Sequence, residues 1–284
     1  MLDLLRHKVQ FGELSWGPYV HHSRIFDWLI RATEELSYEL GEPVESTVQA
    51  GGVPFAPVAI RGEMRVYPRY EDTVVVAGEP TAVGDSNLQM SYRFRRAADG
   101  AEFGRATMVQ VTITPEHTAE PISPSLRERL VAIGDLDGAP DRIDPTGPVG
   151  DGPQLAREMT FRTPHIEAAG LGYFEDYARE LSICLEDHVA EGGRSLRELT
   201  DEVVPFVPID WDLAIERSIA FEDSIEIVGR VTEVTERAVE VGYAFQRAGS
   251  GERCIATDLT YGCFDRHGER VAFPDEAIVA VEGT

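Results

Sequence analysis

The sequence has few basic residues and no long apolar segment. Its 26 Lys and Arg residues stand against 50 Asp and Glu residues, which gives a formal net charge of -24. Nucleic-acid binding depends on cationic side chains that neutralise phosphates, so this charge balance argues against a nucleic-acid partner. No run approaches the roughly 20 apolar residues that span a bilayer, which argues against a membrane protein.

Cysteine is also scarce. The three cysteines, Cys184, Cys254 and Cys263, have neither the number nor the spacing of a disulfide framework or a metal site. The N-terminal segment lacks an apolar core of signal-peptide length. We therefore expect a protein of the reducing cytoplasm that needs no metal and no other cofactor.

The sequence contains an internal repeat with an offset of 151 residues (221 minus 70). Residues 70–78 (YEDTVVVAG) match residues 221–229 (FEDSIEIVG) in the aromatic residue, the Glu-Asp pair, the alternation and the glycine. The same offset holds as far as Gly100, after which one residue of slippage aligns Ala106 with Ala256. A chain of 284 residues is long enough for two domains, so we expect two copies of one domain.

Each copy has the same predicted order of a turn-rich segment, one helix and consecutive strands. In the first copy, apolar residues at three- and four-residue steps from Ile25 to Leu40 predict a helix that ends before Gly41. Its counterpart is predicted over 174–189, with Tyr177 on the apolar face. The predicted strands cover 59–67, 73–83, 87–97 and 104–114 in the first copy and 213–220, 224–234, 238–247 and 254–264 in the second.

This order of elements predicts an α+β fold with two domains. The first domain is expected over 1–115 and the second over 156–284, and residues 116–155 form a proline-rich linker. One short helix, from Ser125 to Ile133, is expected inside the linker.

The order of elements resembles the hotdog fold, in which an antiparallel sheet wraps around a central helix. The pre-helix segments resemble those of the 4-hydroxybenzoyl-CoA thioesterase-like group, whose fingerprint is Phe-x-Asp-x-Asp, then glycine, then the central helix. The corresponding segments are FGELSWGPYVHH over 11–22 and TPHIEAAGLGYF over 163–174. The resemblance implies two hotdog domains in tandem, a double hotdog that forms an intramolecular pseudo-dimer, and an enzyme that acts on acyl thioesters.

The two copies differ at the position that is catalytic in this family. The second aspartate of the fingerprint corresponds to Ser15 in the first copy and to Glu167 in the second, whereas the first aspartate corresponds to Glu13 and His165. Only the second copy retains a carboxylate at the catalytic position. The resemblance therefore implies one competent site and one altered site.

The resemblance makes Glu167 the nucleophile or general base of a thioesterase. Backbone N–H groups near Tyr173 and Phe174, where the second central helix begins, are expected to hold the thioester oxygen. His165 is expected either to orient Glu167 or to be structural, and the Tyr173 side chain to be a donor or a pocket wall. The predicted site comprises Glu167, Tyr173 and His165 as catalytic residues and Gly172, Phe174, Glu13, Ser15 and His22 as substrate-binding residues.

Three other functions stay open. A double-hotdog acyltransferase/decarboxylase of a polyketide pathway would use Tyr173, and a dehydratase would use a histidine such as His21 or His22, although its His-Phe-Pro motif is absent. The third is a non-catalytic protein that binds acyl thioesters. The expected substrate is an acyl-CoA or an acyl carrier protein, with polyketide and aryl groups among the candidate acyl groups, and a further homo-oligomer is compatible with the sequence.

Two sets of residues have two interpretations each. The arginine-rich run 93–96 is either a solvated strand face or a docking patch for an acidic carrier. Trp16, Trp28 and Trp211 line an aromatic pocket or belong to the core.

Overall fold

The computed structural model describes residues 1–15, 17–49, 53–114, 118–136, 138–168, 170–199 and 203–283. The first copy contains β1 (Leu2–Lys8), α1 (Ser23–Glu39), α2 (Val44–Gln49), β2 (Val53–Met64), β3 (Thr73–Val83), β4 (Asn87–Arg96), β5 (Glu102–Ile113) and α3 (Pro124–Ile133). The second copy repeats this order with β6 (Gln154–Thr160), α4 (Phe174–Glu191), α5 (Leu196–Leu199), β7 (Val203–Ile215), β8 (Ser224–Val234), β9 (Val239–Arg247), β10 (Arg253–Asp265), β11 (Arg270–Val271) and α6 (Asp275–Glu282).

In the part of the chain that the structure describes, the strands form one antiparallel sheet of 11 strands. The order β1-β3-β4-β5-β2 of the first copy is mirrored by β7-β10-β9-β8-β6 of the second, and β2 pairs with β7 at the centre. The long helices α1 and α4 contact each other and the strands of their own copies. The predicted α+β double-hotdog architecture is confirmed.

The apolar stripe predicted for α1 is the part of the helix that is buried. Ile25, Trp28 and Leu29 are 0% exposed, and the helix ends at Glu39, before Gly41 adopts a φ of 70°. Glycine is favoured in this left-handed conformation because it has no Cβ. Trp28 and Trp211 are core residues, and Trp16 lies outside the described residues.

The register of the sheet shows that the repeat keeps its offset of 151 residues from β4 and β5 to β9 and β10. Tyr92 pairs with Ala106 across β4 and β5, and Tyr243 pairs with Thr257 across β9 and β10. The counterpart of Ala106 is therefore Thr257, again 151 residues along the chain. The slippage that aligned Ala106 with Ala256 was wrong.

The repeat also extends into the segment that was predicted to be a linker. The Ile122 N–H donates to Asp85 at 2.8 Å, and 151 residues further on the Phe273 N–H donates to Glu236 at 2.9 Å. The helix predicted over 125–133 is confirmed as α3, and it follows Ile122 as α6 follows Phe273. We propose that the first domain includes α3, so that the connection between the domains begins after α3 and not at 116.

Several strands were missed or misplaced at their ends. The edge strands β1 and β6 lie where only turns were expected, and β6 starts two residues before the predicted domain boundary. β2 and β7 begin at Val53 and Val203 instead of 59 and 213, and β7 ends at Ile215 instead of 220. Prolines in the first halves of β2 and β7 explain the late predicted starts, because proline weakens a strand assignment.

Candidate active site

Glu167 lies in a short loop that precedes α4. A backbone bridge between Ile166 and Gly172 closes this loop, and the Glu167 N–H donates to the Leu171 carbonyl at 2.8 Å. Gly170 adopts a φ of 82° at the reversal, a conformation that L side chains rarely take. The loop holds the Glu167 backbone in place, and Glu167 contributes to the wall of the cavity beside the start of α4.

The cavity has a volume of about 470 Å³ and lies between the two copies. The second copy contributes the loop of Glu167 and the first turn of α4, and the first copy contributes α1 and the adjoining ends of β2 and β5. Its lining is apolar along the strands and charged along α1. The principal lining residues are Asp27, Ile30, Arg31, Thr33, Glu34, Phe55, Ala56, Pro57, Val58, Val111, Ile113, Glu167, Leu171, Gly172, Tyr173, Phe174, Glu175 and Tyr177.

Burial and a neighbouring carboxylate perturb Glu167. Burial raises the pKa of the Glu167 carboxyl to about 7, and repulsion from Glu34 on α1 acts in the same direction. Burial and the Asp27 carboxylate also raise the pKa of Glu34, although Arg31 opposes this effect. Among the described residues, no side chain makes a hydrogen bond or an ion pair with the Glu167 carboxylate. A carboxylate with such a pKa can accept a proton near neutral pH.

Two backbone N–H groups in the first turn of α4, those of Phe174 and Glu175, are free to donate to a ligand in the cavity. The Tyr173 N–H donates to the His165 carbonyl at 2.8 Å, so this group already has a backbone partner. The Asp176 N–H donates to the Tyr173 carbonyl at 3.0 Å. The N–H groups of Phe174 and Glu175 have no partner among the described residues, as is usual for the first turn of a helix.

Gly172 and Tyr173 both contribute to the cavity wall. A Cβ on Gly172 would lie 2.6 Å from the Tyr177 hydroxyl, so only glycine leaves room for this tyrosine. The Tyr173 side chain is 44% exposed. The structure therefore brings Glu167, Gly172, Tyr173 and Phe174 of the predicted site together.

His165 and Glu13 occupy equivalent positions outside the cavity. The Arg162 N–H donates to His165 Nδ1 at 3.0 Å, and the Gln10 N–H donates to the Glu13 carboxylate at 2.6 Å. Each side chain thus closes the 3-10 turn to which it belongs. Neither residue lines the cavity, so the predicted catalytic role of His165 and the predicted substrate contact of Glu13 do not fit their placement.

Ser15 and His22 line a separate cavity of about 50 Å³ in the other half of the pseudo-dimer. The Ser15 N–H donates to Tyr19 at 2.8 Å, the bond that Glu167 makes in the second copy. His22 donates from Nε2 to the Ala178 carbonyl at 2.8 Å, and burial holds its pKa well below the usual range. The larger Tyr261, which lines this cavity, replaces Gln110 of the first copy. The altered site is therefore nearly filled, and it has no contact with Glu167.

Two residues of the cavity were missed as site residues. Glu34 comes from the central helix of the other copy, and Tyr177 was assigned to the core. A comparison of the copies could have found Tyr177, because its counterpart in α1, 152 residues earlier, is Ile25. The hydroxyl, like the carboxylate of Glu167, occurs only in the second copy.

Several other expectations concern the surface and bound groups. Arg95 pairs with Asp3, and Arg96 pairs with Asp72 and Asp99, which favours the interpretation of this run as a solvated strand face. Within the described ranges, no helix is long and apolar enough to cross a membrane, and no cluster of His, Cys, Asp and Glu could hold a metal ion.

No protein-family model and no curated protein matches the sequence. The fold is similar to that of a putative oleoyl thioesterase from Lactobacillus plantarum, with a TM-score of 0.75, 14% identity, and coverage of 92% of this chain and 95% of that chain. For a 12:0-ACP thioesterase from Umbellularia californica the TM-score is 0.70, with 12% identity and coverage of 90% and 92%. For an acyl-ACP thioesterase from Bacteroides thetaiotaomicron it is 0.65, with 13% identity and coverage of 90% and 96%. The chain has the double-hotdog fold over nearly its full length.

Proposed function

We propose that this chain is an acyl-thioester hydrolase with one active site, in the cavity between the two copies. The observation that carries the proposal is the presence in one cavity of the desolvated Glu167 carboxylate and the unpartnered N–H groups of Phe174 and Glu175. The three structures of similar fold are described as thioesterases, two of them acting on acyl carrier protein thioesters, which supports the same reaction class.

In the proposed reaction, the thioester oxygen accepts hydrogen bonds from the N–H groups of Phe174 and Glu175. The positive end of the α4 dipole adds to these bonds as negative charge develops on the oxygen. Glu167 either takes a proton from the attacking water or attacks the carbonyl carbon itself. In both cases the C–S bond breaks, and the thiolate leaves and takes up a proton. In the second case this step leaves an anhydride between the acyl group and Glu167, which water then hydrolyses.

The apolar walls of the cavity suit an acyl group. Phe55, Val58, Val111 and Ile113 line its first-copy side. We propose a CoA or carrier-protein thioester as substrate, with polyketide and aryl groups kept among the candidates. The three free, buried cysteines are compatible with the reducing cytoplasm as the place of reaction.

The test is hydrolysis of a panel of acyl-CoA and acyl carrier protein thioesters, followed by release of the free thiol. At least one substrate should be turned over, and Glu167→Gln should lower its kcat by at least about 10²-fold, since a general base contributes about that much. Full activity of this variant would contradict the proposed mechanism.

The same panel separates the alternatives. Activity lost in Tyr173→Phe and retained in Glu167→Gln would favour the tyrosine-dependent acyltransferase/decarboxylase, and saturable binding without turnover would favour a binding protein. A dehydratase built on His21 or His22 has less support, because both residues line the small cavity.

A further inference from the structure

Tyr177 is an almost completely buried tyrosine whose hydroxyl group has no partner among the described residues. The residue is 3% exposed and lines the same cavity as Glu167. Its ring packs between Phe161, Phe174 and Phe245, at centroid distances of 6.0, 6.4 and 5.8 Å. The hydroxyl is not among the fully buried unpartnered polar atoms of the described residues, so it keeps access to the cavity and can donate to a bound group.

Helix geometry sends this hydroxyl toward the backbone donors of α4. Tyr177 lies three residues after Phe174, and residues at this spacing share one face of a helix. Long side chains on a helix point back toward its N-terminus, which here is the end that carries the unpartnered N–H groups. The close approach of the hydroxyl to Gly172, two residues before α4 begins, agrees with this direction.

Burial raises the pKa of the Tyr177 hydroxyl, and the negative charge of Glu167 acts in the same direction. The group therefore keeps its proton over the range in which the protein works and can donate it in a hydrogen bond. Among the described residues no hydrogen bond joins it to Glu167, and both groups line the same cavity.

We propose that the Tyr177 hydroxyl is a third donor to the thioester oxygen, beside the N–H groups of Phe174 and Glu175. This role rests on the proposed function, and it makes Tyr177 a catalytic residue that touches the reacting carbonyl. The proton stays on the tyrosine throughout, so Tyr177 stabilises the charge on the oxygen and exchanges no proton with the substrate.

The test is the variant Tyr177→Phe, assayed on any thioester that the wild-type protein hydrolyses. We expect kcat to fall by about 10²-fold, in the range found when one oxyanion donor is removed, while KM changes little. The variant should fold, because phenylalanine keeps the ring packing against Phe161, Phe174 and Phe245 and removes only a hydroxyl that makes no hydrogen bond among the described residues. The pH at which activity is half-maximal should stay near that of the wild type, because Glu167 does not depend on this hydroxyl.

Tyr243→Phe is the matched control. Tyr243 is fully buried in the same copy, and its hydroxyl lies 3.0 Å from the Tyr261 hydroxyl, away from the large cavity. This variant should keep its kcat. A Tyr177→Phe protein that keeps kcat within about twofold would overturn the proposal, as would a loss of kcat together with a shifted pH profile, which would mean that Tyr177 acts through Glu167. Failure of the hydrolase proposal would look different, because the wild-type protein itself would show no turnover.

Discussion

Replacement of Glu167 by Gln should stabilise the folded protein at alkaline pH. Burial beside Glu34 raises the pKa of the Glu167 carboxyl from 4.5 to about 7. The difference corresponds to about 3.4 kcal/mol of unfavourable free energy for the ionised form in the folded state. Because the side chain is only half-buried, solvent screening reduces this value, and we expect a gain of about 1 to 3 kcal/mol in the variant at pH 8.

The sign of this effect depends on pH. Below about pH 4.5 the carboxyl is protonated in both the folded and the unfolded chain, so the wild-type protein and the Gln variant should be about equally stable. Between about pH 4.5 and 7 the unfolded chain releases the proton and the folded chain retains it, so wild-type stability falls as the pH rises. Above pH 7 the full difference between the two proteins should be present.

The assay is thermal unfolding of both proteins at pH 5 and pH 8. The difference in Tm should be larger at pH 8, with the variant more stable. Glu13→Gln is the control, for which we expect the opposite sign. Burial alone would raise the Glu13 pKa, but hydrogen bonds from Gln10 and His7 outweigh burial and lower the pKa. Glutamine at position 13 should therefore destabilise the folded protein. A Glu167→Gln protein that is less stable than the wild type at pH 8 would refute the reasoning.

Three further outcomes follow from the cavity. Hydrolysis should increase with pH about a midpoint near 7, as Glu167 loses its proton, and a rate independent of pH from 5 to 9 would exclude Glu167 as the base. Glu34→Gln should move this midpoint to lower pH, because it removes a negative charge that raises the Glu167 pKa; an unchanged kcat profile would contradict that coupling. Gly172→Ala should lower kcat by at least about tenfold and also lower Tm, because the new methyl group displaces the Tyr177 hydroxyl and overpacks the contact with Phe161; steady-state kinetics and a melting curve would show whether it does.

Most of the fold could be predicted from the sequence because the repeat is strong where the strands pair. Residues 70–78 and 221–229 carry alternation and turn signals that survive in both copies, so β3 and β8 were placed correctly. The edge strands β1 and β6 were missed because an edge strand pairs on one side only and its alternation is interrupted by charged residues. Proline in β2 and β7 had the same effect at the centre of the sheet.

The site was predicted only in part, because a sequence pattern reveals residues that are close along the chain and not residues that only the fold brings together. Glu167, Gly172 and Phe174 lie within one short segment, so a fingerprint can find them together. Glu34 belongs to a different copy, and only the pairing of the copies brings it to Glu167. His165 fitted the fingerprint equally well, but its ring accepts a local hydrogen bond that no sequence pattern distinguishes from a catalytic one.

The most direct test of the account compares Glu167→Gln with Ser15→Ala at pH 8 on the best thioester substrate. The two residues occupy equivalent loops, one beside the large cavity and one beside the small cavity. We predict that the first variant loses at least about 10²-fold in kcat and that the second retains wild-type kinetics. Equal losses in both variants, or full activity in Glu167→Gln, would contradict an enzyme with one active site at Glu167.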